Sequence, residues 1–290
     1  MNTGPAIKVD GLIKTYDGRH ALDRMSFAVP RGSICGFLGP NGAGKTTTLR
    51  IVMGFAFAET GSIDVFGDGV MTPMLLRRVG FVPEVKELYP FARAGEMIRL
   101  TRGFYPNWNH SLEATLVRDW EIPLRSMCPK LSKGTKTRLA LLLALCRNAD
   151  LLILDEPTEG LDPVATEMLM RLLVQQVAER QVTVFFSTHQ LSEVEQIADY
   201  MVMVNRGRAV LEGSIDEIRQ RHQRVRLVVE NDRAELPAAL AKWQRDGRFI
   251  TGISIEEPST LAQRLSASGV TVLDAQPATL KEVFLDHVDK

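Results

Sequence analysis

The 290 residues carry 35 Lys and Arg against 35 Asp and Glu, a formal net charge of zero, which gives no support to a nucleic-acid binder built on a basic excess. This length holds one large α/β domain and a small one. The longest apolar run, Leu139 to Cys146, falls far short of the roughly 20 residues that span a bilayer, so any membrane role is expected to come through a partner.

The N-terminal MNTGPAIKVDGL has no apolar signal core. Cys35, Cys128 and Cys146 have no metal-ligand spacing and read as reduced thiols of a cytosolic protein. Ala6–Leu12 and Leu22–Val29 are expected to be strands joined through Tyr16-Asp17-Gly18-Arg19. Met25, Phe27 and Val29 alternate with small or polar residues, the period of a half-buried strand. Ser33–Leu38 predicts a short buried strand and Thr47–Met53 the first turns of a helix. Between them, Gly39-Pro40-Asn41-Gly42-Ala43-Gly44-Lys45-Thr46 fits GxxxxGK[ST], and strand, glycine loop and helix is the context that a phosphate-binding loop requires. The glycines let successive N–H groups point into one concavity, and the helix N-terminus adds partial positive charge. Lys45 is placed to reach β- and γ-phosphates, and the Thr46 hydroxyl to ligate Mg²⁺.

Gly61–Gly67 and Val79–Glu84 predict two further strands. From Tyr89 to Lys130 apolar residues recur at helical spacing between prolines, which predicts a helical insert; with the helix expected over Lys136–Arg147 it runs to about residue 147. Its Phe91, Phe104, Tyr105 and Trp108 are candidates for a docking surface, with the insert's own core as the competing placement. Leu151–Leu154 is a continuous apolar run, as expected of a strand buried on both faces, and it delivers Asp155 and Glu156 to the sheet end where ligands bind in open α/β folds. There Asp155 is placed to hold Mg²⁺ through its water shell, and Glu156 to orient or deprotonate an attacking water. A helix is expected over Pro163–Arg180, then a strand Val182–Phe186 leading to Ser187-Thr188-His189. His189, at a strand end beside that site, is placed to bond the γ-phosphate or the water. Ser192-x-x-Glu195 reads as a capping box, and Tyr200–Glu212 as a hairpin turning at Arg206-Gly207. A helix opened by Ser214-x-x-Glu217 is expected to close the first domain at about residue 220. Residues 221–290 then read as an accessory α/β domain: strands Arg226–Val229, Phe249–Ile255 and Val270–Leu273 alternate with helices Leu236–Trp243, Leu261–Ala267 and one capped by Thr279-x-x-Glu282.

Taken together these motifs resemble the ATPase subunit of an ABC transporter over roughly Ile7–Arg219. GPNGAGKTT at Gly39–Thr47 resembles Walker A, LLILDEP at Leu151–Pro157 Walker B with its catalytic glutamate, EGLDP at Glu159–Pro163 the D-loop, and Thr188-His189 the H-switch. The resemblance implies a P-loop ABC-ATPase fold: a mixed sheet core, an antiparallel β subdomain and the helical insert, with the small C-terminal α/β domain appended. It further implies ATP and Mg²⁺ as ligands, catalytic Glu156 and His189, and nucleotide contacts along Gly39–Thr47. Tyr16, an exposed turn aromatic on spacing alone, falls where the family stacks an aromatic on adenine. LSKGT at Leu131–Thr135 occupies the signature position, whose family form is LSGGQ. Ser132 and Gly134 are retained, and the resemblance implies that they touch the γ-phosphate across a dimer; Lys133 and Thr135 depart. Glu84 stands where most of the family has glutamine, with a metal-ligand role alongside Thr46 and Asp155 implied.

The implied function is ATP hydrolysis that drives a separate membrane permease, export being favoured. It implies a homodimer, or a pair with a related ATPase subunit, peripheral at the cytoplasmic face of the membrane, with no direct nucleic-acid contact. The rival class is a soluble non-transport ABC ATPase acting on a ribosome or nucleic-acid complex, typified by two cassettes or a long coiled coil in one chain, neither of which appears here. A nucleotide-binding regulatory module without hydrolysis is a third class, and Glu156 argues against it.

Overall fold

Alternating apolar residues pair the first two strands, β1 (Ile7–Tyr16) and β2 (Arg19–Val29), as an antiparallel hairpin. It closes at Asp17-Gly18, both left-handed with φ of 48° and 76°, as the favoured two-residue hairpin turn requires. The computed structural model describes residues 4–229, 243–266 and 269–288. The chain then runs through β3 (Ile34–Leu38), the phosphate-loop helix α1 (Lys45–Val52) and β4 (Thr60–Val65). β4 adds to the free side of β1, giving a three-stranded sheet ordered β2-β1-β4.

Next come α2 (Pro73–Leu76), β5 (Val79–Val82), α3 (Ala94–Arg102), α4 (His110–Asp119), α5 (Lys133–Leu145), β6 (Leu151–Asp155) and α6 (Pro163–Arg180). They are followed by β7 (Thr183–Thr188), α7 (Leu191–Ile197), β8 (Tyr200–Asn205) and β9 (Arg208–Ser214). The second sheet has the order β5-β6-β7-β3-β8-β9, parallel from β5 through β8. Every residue of β3, β6 and β7 is buried, because strands inside a parallel sheet are covered on both faces. Phe27 of β2, Phe37 of β3 and Phe185 of β7 stack with ring centroids 5.1 to 5.6 Å apart and tie the two sheets into one core.

The insert is helical as expected, but its aromatics divide. Phe91 and Phe104 are 90% and 69% exposed, whereas Trp108 is 5% exposed and donates its indole N–H to Glu113. The Tyr105 ring lies under the Arg147 guanidinium, 4.0 Å from its centroid. α5 starts three residues before the expected Lys136, because the Ser132 hydroxyl caps it by accepting the Thr135 N–H at 3.1 Å. The Ser192 capping box does not form. α7 begins at Leu191, and Glu193 is buried instead, accepting the hydroxyls of Thr158 and Thr188 at 2.6 Å each.

The chain divides into two units after Glu212, so the helix α8 (Ile215–Arg221), with its reciprocal Ser214–Glu217 box, falls in the second unit, not the first. There β10 (Gln223–Val229), β11 (Trp243–Asp246), β12 (Phe249–Ser254), α9 (Pro258–Ser266), β13 (Val270–Pro277) and α10 (Leu280–Val288) follow. The sheet is antiparallel, ordered β11-β12-β10-β13. It therefore has a fourth strand beyond the three expected. Trp243, the last residue of the expected helix Leu236–Trp243, is in β11, and the remainder of that helix lies outside the described residues. The Thr279–Glu282 box forms reciprocally, the Glu282 carboxylate accepting the Thr279 N–H at 2.8 Å and the Thr279 hydroxyl accepting the Glu282 N–H at 3.2 Å.

Candidate active site

The order β6-β7-β3 puts three strand ends side by side, and the register sets Asp155 opposite Ser187 and Leu38 opposite Thr188. At two glycines the loop leaving β3 packs too closely for a side chain. A Cβ on Gly39 would lie 2.4 Å from Val204 O, and one on Gly44, at φ 106°, 2.6 Å from Ala21 O. Gly44 is the N-cap of α1, so that helix points its unpaired N–H groups into the loop.

Asn41, Gly42, Lys45, Thr46, Glu84, Glu156, Glu159 and His189 line one cavity of about 330 Å³. The Lys45 ammonium donates to Gly39 O at 2.7 Å and Pro40 O at 3.3 Å, and lies 3.6 Å from Glu156 Oε1. Glu156 Oε2 meets His189 Nδ1 at 3.0 Å. The Glu156 N–H donates to Ser187 Oγ at 3.0 Å, and that hydroxyl donates to Asp155 Oδ1. The Thr46 hydroxyl donates to Glu84 Oε2 at 3.1 Å. Burial raises the Asp155 carboxyl above its ordinary range, with the Ser187 and Thr46 hydroxyls pulling the other way. Burial likewise raises Glu156, opposed by the charges of His189 and Lys45. Thr46, Glu84 and Asp155 thus form an oxygen-only donor set, the kind that hard cations take. Among the described residues no three His, Cys, Asp or Glu side chains cluster as a metal cage.

Gly39, Pro40 and Asp155 adjoin this cavity through the bonds above, and the other sequence-predicted residues are not in its lining. Ala43 is buried and Thr47 lies in α1. Tyr16, 46% exposed, ends β1 with the Lys14 ammonium 5.2 Å from its ring centroid. Ser132 and Gly134 are outside the lining, and Lys133 lines a second cavity with Glu84, Val85, Lys86, Lys136, Thr137 and Glu159. Glu159 borders both cavities. Its carboxylate accepts from Lys133 Nζ at 2.6 Å, and this bond holds its pKa below the ordinary value.

The sequence placed Glu159 only as the first residue of the D-loop-like EGLDP, and gave Lys86 and Ser187 no role. Ser187 had a signal, its place in the strand end beside His189. Lys86, whose ammonium is pulled down by burial against the charges of Glu159, Asp155 and Glu84, had none, because a lysine in a loop is ordinarily solvated. The three cysteines are free and buried; burial pushes the Cys146 thiol up to about 12, which makes it a poor nucleophile.

A sequence profile described as ABC transporter matches residues 22–159. The chain is 34% identical over 223 residues to the bacitracin transport ATP-binding protein of Bacillus licheniformis, covering 75% of this chain and 72% of that one. It is 31% identical over 304 residues to the Nod factor export ATP-binding protein I of Ralstonia nicotianae, covering 99% and 88%. A solved structure described as the ATP binding subunit of an ABC transporter superposes with a TM-score of 0.67 at 29% identity, covering 74% of this chain and 92% of that one. A phosphate loop facing paired strand-end carboxylates on this fold, together with relatives that span most of the chain, shows that the protein belongs to the ATP-binding subunits of ABC transporters and that it binds and hydrolyses ATP in the service of transport.

Proposed function

We propose that the chain works as the motor of an exporter. Two copies, or one copy and a related subunit, would enclose two ATP molecules head to tail and drive a separate membrane permease from the cytoplasmic face. The observation that carries this reading is the convergence of Lys45, Thr46, Glu156 and His189 on one cavity, from the start of α1 and the ends of the adjacent parallel strands β6 and β7. In it Lys45 binds the β- and γ-phosphates, Glu156 takes the proton of the attacking water, and His189 holds the Glu156 carboxylate and the γ-phosphate in line. Tyr16 stacks on the adenine. The oxygen set of Thr46, Asp155 and Glu84 fits Mg²⁺, which demands few protein ligands when phosphate and water supply the rest. When bound, it neutralises charge on the phosphate oxygens.

Ser132 and Gly134 lie outside the lining of the cavity that holds Lys45, and their role at a γ-phosphate would be played toward the nucleotide of a second subunit; closed two-fold pairs are the commonest oligomers. No described helix is long and apolar enough to cross a membrane, so force must pass through a protein contact. Phe91, Phe104, Tyr89 and Leu100, all exposed on the insert, offer the apolar surface for it. The names of the bacitracin and Nod factor relatives support transport and, in the second, export.

Glu156→Gln tests the reading. The amide keeps the shape and loses the base, so phosphate release should fall by roughly 10²- to 10⁴-fold while ATP binding persists. With ATP and Mg²⁺ the variant should elute as a dimer in size-exclusion chromatography. Turnover at the wild-type rate would remove Glu156 from the mechanism.

A further inference from the structure

Lys86 lies two residues beyond Glu84, in the segment between β5 and α3, and its side chain turns back onto the end of β6. Its ammonium donates to two main-chain carbonyls, Glu156 O at 3.2 Å and Asp155 O at 3.4 Å. The backbone it grips is unusual. Glu156 sits at φ 46°, in the left-handed region that residues with a Cβ avoid. Such a conformation persists only where its surroundings over-determine it.

Here the restraints are visible. On one side Ser187 Oγ accepts the Glu156 N–H at 3.0 Å; on the other, the Glu156 carbonyl accepts the Glu159 N–H and the Lys86 ammonium, each at 3.2 Å. The bond from Glu159 is local to the turn itself. Lys86 is the cross-chain restraint on the carbonyl side, as Ser187 is on the amide side. Between these two clamps the side chain leaves the turn so that Oε1 faces Lys45 and Oε2 faces His189.

We infer that Lys86 is a positioning residue for the general base: its ammonium locks the left-handed turn at Glu156 and so fixes where the carboxylate points. The inference rests on the assignment of Glu156 as base. It also gives the segment entering the helical insert a physical hold on that base. A displacement of this segment moves the ammonium, and the peptide it grips is one that relaxes to an ordinary conformation when released. The hydrogen bonds of the Lys86 ammonium go to the end of β6 and not to the Gly39–Thr46 loop, so its loss is expected to bear on the chemical step and not on phosphate binding.

The test is steady-state phosphate release by the full-length chain with ATP and Mg²⁺, with ATP affinity and thermal unfolding measured in parallel. In Lys86→Met, kcat should fall roughly 10- to 100-fold, the penalty of a misplaced reacting group, while KM and ATP affinity stay within about twofold. Lys86→Gln, which keeps a polar end at shorter reach, should fall in the same direction and decides the matter if the methionine variant does not fold. Lys86→Arg, which keeps a positive donor on a long side chain, should recover most of kcat. A folded Met or Gln variant that turns over within about twofold of wild type, while Glu156→Gln is inactive, overturns the inference and leaves the base assignment standing. A loss confined to ATP affinity, with kcat intact, also overturns it. If Glu156→Gln itself turns over at the wild-type rate, the base assignment falls and takes this inference with it.

Discussion

Gly134→Ala probes how firmly the signature loop is fastened to the D-loop of its own chain. A Cβ built on Gly134 would sit 2.4 Å from Gly160 O, whereas real Cβ contacts essentially never fall below 3.0 Å. The two loops must therefore part by at least about 0.6 Å. That movement is resisted by the Thr137 hydroxyl bond to Glu159 O at 3.0 Å and by the Lys133–Glu159 ion pair at 2.6 Å. The ion pair is largely exposed and contributes little. Overpacking of this kind costs about 1–3 kcal/mol, and an alanine in the first turn of α5 returns up to about 1 kcal/mol of helix propensity. The net loss is about 0–3 kcal/mol, a fall in Tm of up to several degrees, at about 2–4 °C per kcal/mol for a domain of this size. Turnover should suffer more, because Glu159 is in the wall of the Lys45 cavity; a drop of roughly tenfold or more is expected. Phosphate release and thermal unfolding measure both. Thr137→Val separates loop packing from any direct contact of Gly134 with nucleotide. Thr137 is fully buried, and its loss removes about 1 kcal/mol of hydrogen bonding to the Glu159 carbonyl. It should lower turnover in the same direction, by less. Wild-type turnover in both variants would refute the idea that packing between these loops reaches the site.

Two other outcomes are expected. Phe185→Ala empties the centre of the Phe27–Phe37–Phe185 cluster and should destabilise the first unit by about 3–5 kcal/mol, read from denaturant midpoints; a loss below about 1 kcal/mol would mean the rings do not form a shared core. Phe104→Ser should abolish co-purification with the permease while leaving ATPase activity of the isolated subunit intact, since the ring is exposed and outside the Lys45 cavity. Unimpaired co-purification of that variant together with Phe91→Ser would place the docking surface elsewhere.

What could be read from the sequence is what local chemistry dictates. The glycine loop before a helix, the apolar run ending at Asp155-Glu156 and the strand ending at His189 each declare themselves within a dozen residues, and the sheet order then brings them together. Pairings decided by tertiary contact were not legible. Ser192-x-x-Glu195 has the letters of a capping box, yet α7 starts two residues earlier than that box would set it, and Glu193 takes two buried hydroxyls, from Thr158 beyond β6 and Thr188 at the end of β7. Tyr105 and Trp108 have the composition of a docking surface, but Arg147 and Glu113 claim them, while Phe91 and Phe104 are left outside. β11 gave no period-two signal: all four of its residues are exposed, so its pairing with β12 follows from the turn at Gly247, at φ 59°, and not from a hydrophobic stripe.

Of the three departures from the pattern that the chain resembles, Lys133, Thr135 and Glu84, the two that change charge make physical sense only as a pair. Lys133 for glycine adds a positive charge to the signature loop, and Glu84 for glutamine adds a negative one beside Thr46. Each is answered nearby. Lys133 is held by Glu159, and Glu84 takes the Thr46 hydroxyl while its charge favours the ammonium form of Lys86. Glu84 and Glu159 are also the two residues that line both the Lys45 cavity and the Lys133 cavity. A charge moved at either departure is therefore felt at the wall shared with Lys45 and, through Lys86, at the carbonyl of Glu156. Reverting Lys133 alone would leave Glu159 without its ion-pair partner in a cavity it shares with two other carboxylates, Glu84 and Glu156, and reverting Glu84 alone would leave the lysines of the second cavity with one fewer counter-charge. The substitutions are coupled by charge, so each should be tolerated best in the presence of the other.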